Sequence, residues 1–140
     1  DMVETMYHQV GIGLAAPQVG FPYCVLVMDD SKGGARALIN PVIMSRSGSV
    51  VDEEGCLSLP GIFGDVERSK SITVQATDED GQPFDLDAAG MQARVIQHEM
   101  DHLEGVLFID HLSPVARDRI KKRIQKHGFP KERRSRAFAL

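Results

Sequence analysis

Residues 97–102 read Gln-His-Glu-Met-Asp-His, within a segment of about residues 87–103 whose apolar side chains recur at helical spacing. On a helix of 3.6 residues per turn, His98 and His102 lie one above the other, so both imidazoles can reach the same metal ion. Glu99 lies about 100° round the helix from His98, where it can meet a water on that ion without binding the ion itself. The pattern predicts a helix, ending before Gly105, that carries a hydrolytic metal site.

A catalytic metal site of this kind needs a third protein ligand. The metzincin pattern requires a histidine at position 108, where this sequence has Phe108. A glutamate is the other common third ligand, but Glu104 is too close in sequence to His102 to reach the same ion, and Glu132 lies in a basic tail. Cys56 is the better candidate, because a glycine-flanked strand edge can present a thiolate that metal binding keeps deprotonated. The spacing leaves open the alternative that Cys56 is a small buried apolar residue, as we expect for Cys24.

Short stretches rich in apolar and β-branched residues precede the helix and predict strands. The stretch Tyr23–Met28 is expected to be buried, and residues 37–39 and 42–44 are expected to form two further short strands. Residues 72–86 alternate apolar and polar side chains around a turn at Asp80-Gly81, which predicts a hairpin. The fold class is therefore α+β, with mostly antiparallel strands packed around a central metal-binding helix and with a C-terminal helix.

Length and composition are typical of one globular domain, which we predict to comprise residues 1–140. The chain is 42% hydrophobic and 26% charged, and its longest apolar runs fall far short of the roughly 18 residues that a membrane span needs. Two cysteines are too few for a disulfide framework. These features exclude a membrane-spanning segment in this stretch and argue against a disulfide-stapled fold.

A second helix is predicted from about Pro114 to His127, because Ser113 is a good N-cap and Gly128 ends the pattern. Residues 113–140 carry 10 Lys and Arg against 2 Asp and Glu, whereas residues 1–112 carry 6 against 18. This basic helix and tail of the same domain can contact an acidic partner such as RNA or a ribosomal surface. The alternative is a solvated helix with a frayed end.

The segment Gly11–Gln18 matches a dinucleotide-binding fingerprint, but helical spacing rather than a strand precedes it, which argues against that function. Small residues let a ligand backbone come close, and the Gln18 amide could donate to developing negative charge; a tight turn with Gln18 in solvent is the alternative. Residues 78–81 are no calcium loop, because Ala89 stands where the bidentate glutamate would fall.

Three segments resemble, in order and spacing, the signature motifs of the peptide deformylase family. They are Gly11–Gln18, Glu54–Ser58 and Gln97–His102. The resemblance extends over essentially all 140 residues. It implies an enzyme that removes the formyl group from N-formylmethionine at the N-terminus of nascent polypeptides and releases formate.

By this resemblance the protein binds one divalent transition metal, natively Fe²⁺, which Zn²⁺, Ni²⁺ or Co²⁺ often replaces in purified protein. The residues implied as its ligands are Cys56, His98 and His102. Glu99 resembles the family's general acid and base. The side-chain amide of Gln18 and the backbone N–H of Leu57 resemble its donors to the oxyanion.

The resemblance also implies a set of substrate-binding residues. Gly13 would align the substrate backbone. The residues implied to line a pocket for the methionine side chain are Ile12, Leu57, Met91 and Val95. Arg94 departs from this pattern, because an apolar residue is expected there if that side of the helix faces substrate.

The implied partners are N-formylmethionyl peptides and the ribosome near its exit tunnel, contacted through the basic C-terminal helix, with no membrane and no sequence-specific nucleic acid. The implied location is the bacterial cytoplasm, or an organelle if a targeting segment lies upstream. Family members carry a further segment before the position of Asp1, so we expect a deformylase domain that lacks its start.

Two other functions use the same residues and remain open at this point. A metalloendopeptidase would use His98, Glu99 and His102 with a third ligand other than Cys56. A non-catalytic, metal-stabilised or ribosome-binding fragment would bind metal without turnover.

Overall fold

The computed structural model of the chain describes residues 2, 13–15, 24–29, 35–56 and 59–128. Seven strands, two α-helices and a short 3-10 helix lie in these ranges. The strands are β1 (Gly13–Ala15), β2 (Val25–Asp29), β3 (Ala35–Ser47), β4 (Val50–Cys56), β5 (Leu59–Arg68), β6 (Ser71–Thr77) and β7 (Pro83–Ala89). The helices are α1 (Gly90–Leu103), the 3-10 helix (Phe108–His111) and α2 (Pro114–His127).

Two antiparallel sheets position helix α1 between them. The larger sheet has the order β1-β2-β3-β6-β7, and β4 and β5 form a separate hairpin. The larger sheet buries one face of β6, made of Ile72, Val74 and Ala76, against Val95 and Ile96 of α1. Burial of alternate residues on β6 follows from the two-residue period of a strand. The predicted α+β fold with antiparallel strands around a central helix is confirmed.

A second apolar cluster joins the β4–β5 hairpin to the chain that follows α1. It contains Cys56, Leu59, Ile62, Val66, Phe108 and Ile109. Ile120 and Ile124, one turn apart on α2, pack against this cluster, although α2 has no fully buried residue. The C-terminal helix is therefore attached along one narrow apolar stripe, and its charged faces stay in solvent.

The predicted hairpin and second helix are confirmed. Strands β6 and β7 pair along their whole length, from Ser71 opposite Ala89 to Thr77 opposite Pro83. Helix α2 begins at Pro114, and the Ser113 hydroxyl accepts a hydrogen bond from the N–H of Ala116, as an N-cap does.

The end of α1 agrees with the sequence and its beginning does not. Gly105 has a φ of 76° and follows the last turn, where its N–H donates to the carbonyl of His102. The helix begins at Gly90 rather than near residue 87, because residues 87–89 complete β7. Asp87 pairs there with Thr73 of β6.

Two further expectations about strands were wrong. Residues 37–39 and 42–44 belong to a single strand, β3, whose register shifts between Ile39 and Val42. The irregularity accommodates Pro41, which has no N–H to donate to a ladder. Cys24 is exposed and precedes β2, so it is not a buried residue of that strand.

No helix in the ranges given above is both long and apolar enough to cross a lipid bilayer.

Candidate metal centre

The side chains of Cys56, His98 and His102 meet between the hairpin and α1. Sγ of Cys56 lies 3.3 Å from Nε2 of His102, which lies 3.2 Å from Nε2 of His98, and all three residues are buried. Two ligands of one tetrahedral ion, at usual metal–sulfur and metal–nitrogen bond lengths, are about 3.4–3.6 Å apart. The donor set and its spacing therefore fit one transition metal ion.

Within the described residues, this is the one grouping of three His, Cys, Asp or Glu side chains close enough to share an ion. Cys56 ends β4, where the pairing with β5 becomes irregular, and the two histidines lie one turn apart on α1. The described residues therefore contain no third ligand of the kind that the metalloendopeptidase alternative requires. They do place the cysteine candidate, Cys56, beside the two histidines.

Glu54 fixes the ring of His98. Its Oε1 lies 2.9 Å from Nδ1 of His98, and because an ionised carboxylate only accepts, the proton is on Nδ1 and the lone pair is on Nε2. Phe108 stacks on the same ring at 6.3 Å between centroids. Nε2 of His98 is thereby held toward the other two donors in the tautomer that binds metal.

The carboxylate of Glu54 is fully buried and accepts from two arginines as well. Nε and Nη2 of Arg68 donate to it at 2.9 Å each, and Nη1 of Arg94 donates at 2.6 Å. Burial alone raises the pKa of Glu54, but the hydrogen bonds and charges of His98 and Arg68 outweigh it and hold the pKa at about 2. Glu54 is therefore a stable anion beneath the donor set.

Arg68 links this carboxylate to the protein surface. Its Nη1 donates at 2.6 Å to Asp101, which also lies 2.7 Å from Nε2 of the exposed His111. Burial by itself lowers the pKa of Arg68, but Glu54 and Asp101 raise it above the ordinary arginine value. A continuous polar chain thus runs from His98 to solvent.

The carboxylate of Glu99 is 0% exposed, and neither of its oxygens has a hydrogen-bond partner among the described residues. Burial raises the pKa of Glu99 well above the usual glutamate value, and the negative charge of Glu54 raises it further, against an opposing effect of Arg68. An orphaned carboxyl group beside three metal-type donors fits a site that takes a further polar ligand.

The imidazole of His102 is buried beside His98, and its pKa is strongly shifted. Burial first, and then the charge of His98, lower the pKa of His102 to about 4. The imidazole is therefore neutral at pH 7, which is the form that binds a metal.

Gly13 of β1 lies directly against α1 at the position of Glu99. A Cβ added at Gly13 would lie 2.7 Å from Cγ1 of Val95 and 3.0 Å from Cγ and Oε1 of Glu99. Val95 is buried, whereas Met91, one turn earlier, is 41% exposed. The structure thus brings Gly13, Val95 and Glu99 together, while Ile12, Gln18 and Leu57 lie outside the described residues.

Arg94 points toward the hairpin. Its guanidinium binds Glu54 and the carbonyl oxygens of Val50 and Val66. The expectation of an apolar residue here assumed that this side of α1 faces substrate, but it faces a buried carboxylate.

Comparison with known proteins agrees with this geometry. A family model described as polypeptide deformylase matches residues 1–118. The chain is 50% identical over 129 residues to a peptide deformylase of Alkalilimnicola ehrlichii, with 90% of this chain and 72% of that protein covered. It is 56% identical over 112 residues to peptide deformylase 1 of Clostridium perfringens, with 79% of this chain and 76% of that protein covered.

A solved structure shows the same likeness in three dimensions. The crystal structure of a peptide deformylase from Legionella pneumophila superposes with a TM-score of 0.84 at 42% identity, covering 90% of this chain and 76% of that one. The metal-type donor set, the fold around it and these matches agree, and the chain belongs to the polypeptide deformylase family.

Proposed function

We propose that this chain is a metal-dependent hydrolase that removes the formyl group from N-formylmethionine at the N-terminus of nascent polypeptides and releases formate. One observation carries the proposal. In a chain of this family, Cys56, His98 and His102 converge beside the buried carboxyl group of Glu99, to which the described residues offer no hydrogen-bond partner.

The proposed ligands are Cys56, His98 and His102, and the proposed resident metal is Fe²⁺, with Zn²⁺, Ni²⁺ or Co²⁺ able to replace it. A thiolate with two imidazoles suits ions of this softness, and three protein ligands are the number typical of catalytic sites. When bound, such an ion supplies a Lewis acid that lowers the pKa of water toward about 7.

Glu99 is proposed to move the proton. It takes a proton from the water that attacks the formyl carbon, and its raised pKa suits a group that must hold that proton until the amine departs. As the carbon–nitrogen bond of the formamide breaks, Glu99 gives this proton to the departing amine. The formyl carbon leaves as formic acid, whose remaining proton dissociates to give formate.

The oxyanion that forms on the formyl oxygen is proposed to accept hydrogen bonds from the side-chain amide of Gln18 and the backbone N–H of Leu57. Support comes from the chain itself, since Leu57 follows the ligand Cys56 directly and Gln18 lies three residues after the end of β1. Fixed donors at such a position typically lower the barrier by about 3–4 kcal/mol.

Substrate specificity is proposed to come from Gly13, Ile12, Met91 and Val95, with Leu57 beside them. Gly13 lets β1 approach α1 closely, which favours a peptide backbone lying along β1. Met91 and Val95 lie one turn apart, and the exposed side chain of Met91 gains from being covered by an apolar ligand. An apolar pocket discriminates by about 1–3 kcal/mol per methylene group, enough to favour methionine.

The proposed location is the bacterial cytoplasm, and the proposed partner is the ribosome near its exit tunnel. Helix α2 supports this partner because Lys121, Lys122 and Arg123 are all exposed on it. Basic side chains in solvent attract the phosphates of RNA and release counterions on binding.

The decisive experiment measures formate release from a formyl-Met tripeptide together with the metal content of the protein. Iron is loaded without oxygen, and Cys56→Ser is compared with Cys24→Ser, which alters the exposed cysteine outside the site. We expect the parent and Cys24→Ser to bind about one ion and release formate, and Cys56→Ser to lose both properties.

Two results would contradict the proposal. Internal cleavage of unformylated peptides without formate release would indicate an endopeptidase. Bound metal with no turnover of any formyl peptide would indicate a non-catalytic metal protein.

A further inference from the structure

The buried guanidinium of Arg94 joins α1 to both strands of the β4–β5 hairpin. Arg94 is 5% exposed, and arginine is rarely so buried unless it is fully paired. Its Nη1 donates to Oε2 of Glu54 at 2.6 Å and to the carbonyl oxygen of Val66 at 3.0 Å, and its Nη2 donates to the carbonyl oxygen of Val50 at 2.7 Å. Val50 lies on β4 and Val66 on β5, so one side chain of the helix donates hydrogen bonds to both strands of the hairpin.

Arg94 and His98 lie one turn apart on α1 and converge on the same carboxylate. Oε1 of Glu54 accepts from Nδ1 of His98, and Oε2 accepts from Arg94, while Arg68 donates to both oxygens. These four donors use the acceptor capacity of a carboxylate. The orientation of the His98 ring therefore depends on a carboxylate that Arg94 helps to fix.

The three metal-type donors lie on two separate elements. Cys56 ends β4, two residues after Glu54, whereas His98 and His102 lie on α1. The gap of 3.3 Å between Cys56 Sγ and His102 Nε2 is thus set by how the hairpin sits on the helix. Arg94 fastens the hairpin one turn before His98, and the 2.6 Å contact of Arg68 with Asp101 fastens it at the other end of the same stretch.

We propose that Arg94 is a positioning residue of the metal centre: it fixes the hairpin that bears Cys56 against the helix that bears His98 and His102 before any ion binds. The inference rests on the metal centre of the proposed function and is independent of the reaction catalysed there. Lysine can reach one of the three acceptors but cannot satisfy all of them, because it lacks the planar fork of arginine.

The test is titration of Co²⁺ into chelator-stripped protein, followed by the thiolate-to-cobalt absorption band. Arg94→Lys and Arg94→Leu are compared with Arg46→Lys, whose parent side chain donates to Gln97 of the same helix at 3.4 Å, away from Glu54. We expect Arg94→Lys to raise the Kd for Co²⁺ about tenfold with the thiolate band retained, and Arg46→Lys to leave it within about twofold.

Thermal unfolding of the metal-free variants separates positioning from general stability. A folded Arg94→Lys protein that binds Co²⁺ within about twofold of the parent Kd overturns the proposal, whatever its Tm. If Arg94→Leu does not fold, Arg94→Lys carries the test alone. Failure of the parent to bind Co²⁺ at all would instead overturn the proposed function and this inference with it.

Discussion

Within the part of the chain that the structure describes, the buried carboxyl group of Glu99 lacks the partners that usually accompany a buried acid. Glu54, equally buried, accepts hydrogen bonds from a histidine and two arginines, and its pKa is held low. Glu99 has no such partner among the described residues, and burial raises its pKa instead. The pKa values of these two carboxyl groups are therefore shifted in opposite directions. Glu54 is a fixed anion, and Glu99 is a group that can gain and lose a proton.

Replacing Glu99 separates stability from activity. Glu99→Gln keeps the size of the side chain but removes the acid, so we expect formate release to fall by about 10²–10⁴-fold with metal content unchanged. The Tm should stay level or rise, because burying a carboxyl group that receives no hydrogen bond from the described residues costs stability. The control is Glu104→Gln, which changes an exposed acid directly after the last residue of α1. Its formate release and Tm should match those of the parent. Near-normal turnover of Glu99→Gln with metal bound would remove the proposed role.

The residues of the candidate metal centre could be predicted from the sequence, and the residue that orients one of them could not. His98 and His102 are recognisable because helical spacing fixes their relation. Glu54 lies two positions before Cys56, so the two-residue period of a strand places both side chains on one face. This spacing is the one local signal in the sequence that Glu54 lies near the metal-type donors. Its importance depends on Arg68 and Arg94, which are 14 and 40 positions away, and no local pattern shows that they meet it.

At the level of elements, the site depends on the contact of β1 with α1. β1 is a three-residue edge strand of the larger sheet, and it pairs with β2. Gly13 is the point at which it passes closest to Val95 and Glu99, with no space for a methyl group. The separation of β1 from α1 is therefore coupled to the position of the Glu99 carboxyl group.

Adding one methyl group at this contact should impair catalysis more than folding. In Gly13→Ala the new Cβ must push Val95 and Glu99 aside, and a shift of about 1 Å in a catalytic group can cost about 10²-fold in rate. We expect a loss of about that size in kcat/KM with metal content unchanged. Gly64→Ala, whose new Cβ would meet the flexible end of the Leu112 side chain, is the matched control. Parent-like kcat/KM for Gly13→Ala would show that this contact does not set the geometry of Glu99.

The elements that could be predicted are those whose ends carry a local chemical signal. Ser113 and Gly128 bound α2, and the alternating residues of β6 define the hairpin. Two boundaries failed because pairing decided them. Asn40-Pro41 reads as a break between strands, yet the neighbouring strands hold β3 together through an irregular register. Residues 87–89 have no strand signal of their own and extend β7 because β6 offers them partners.

At the scale of the whole molecule, charge is divided unevenly along the chain. Residues 1–112 carry 18 acidic and 6 basic residues, whereas residues 113–140 carry 2 acidic and 10 basic residues. Helix α2 packs on the rest of the protein through Ile120 and Ile124, and five of its six lysine and arginine side chains are exposed: Arg119, Lys121, Lys122, Arg123 and Lys126. The candidate metal centre lies elsewhere, between the hairpin and α1, so the proposed binding of a polyanion by α2 can be tested separately from the proposed chemistry.

We therefore expect a change of charge on α2 to affect ribosome binding and to leave peptide hydrolysis unchanged. Reversing the charge of Lys121 and Lys122 to glutamate should weaken co-sedimentation with ribosomes by about tenfold or more at moderate salt, because phosphate contacts dominate such binding. Hydrolysis of a short formyl peptide should be unchanged, since both side chains lie on the exposed face of α2. The same change of charge at the exposed Arg46 and Lys70 is the matched control. Equal sedimentation of the α2 variant and the parent would show that this helix does not bind the ribosome, whereas equal loss in both variants would reduce the effect to net charge.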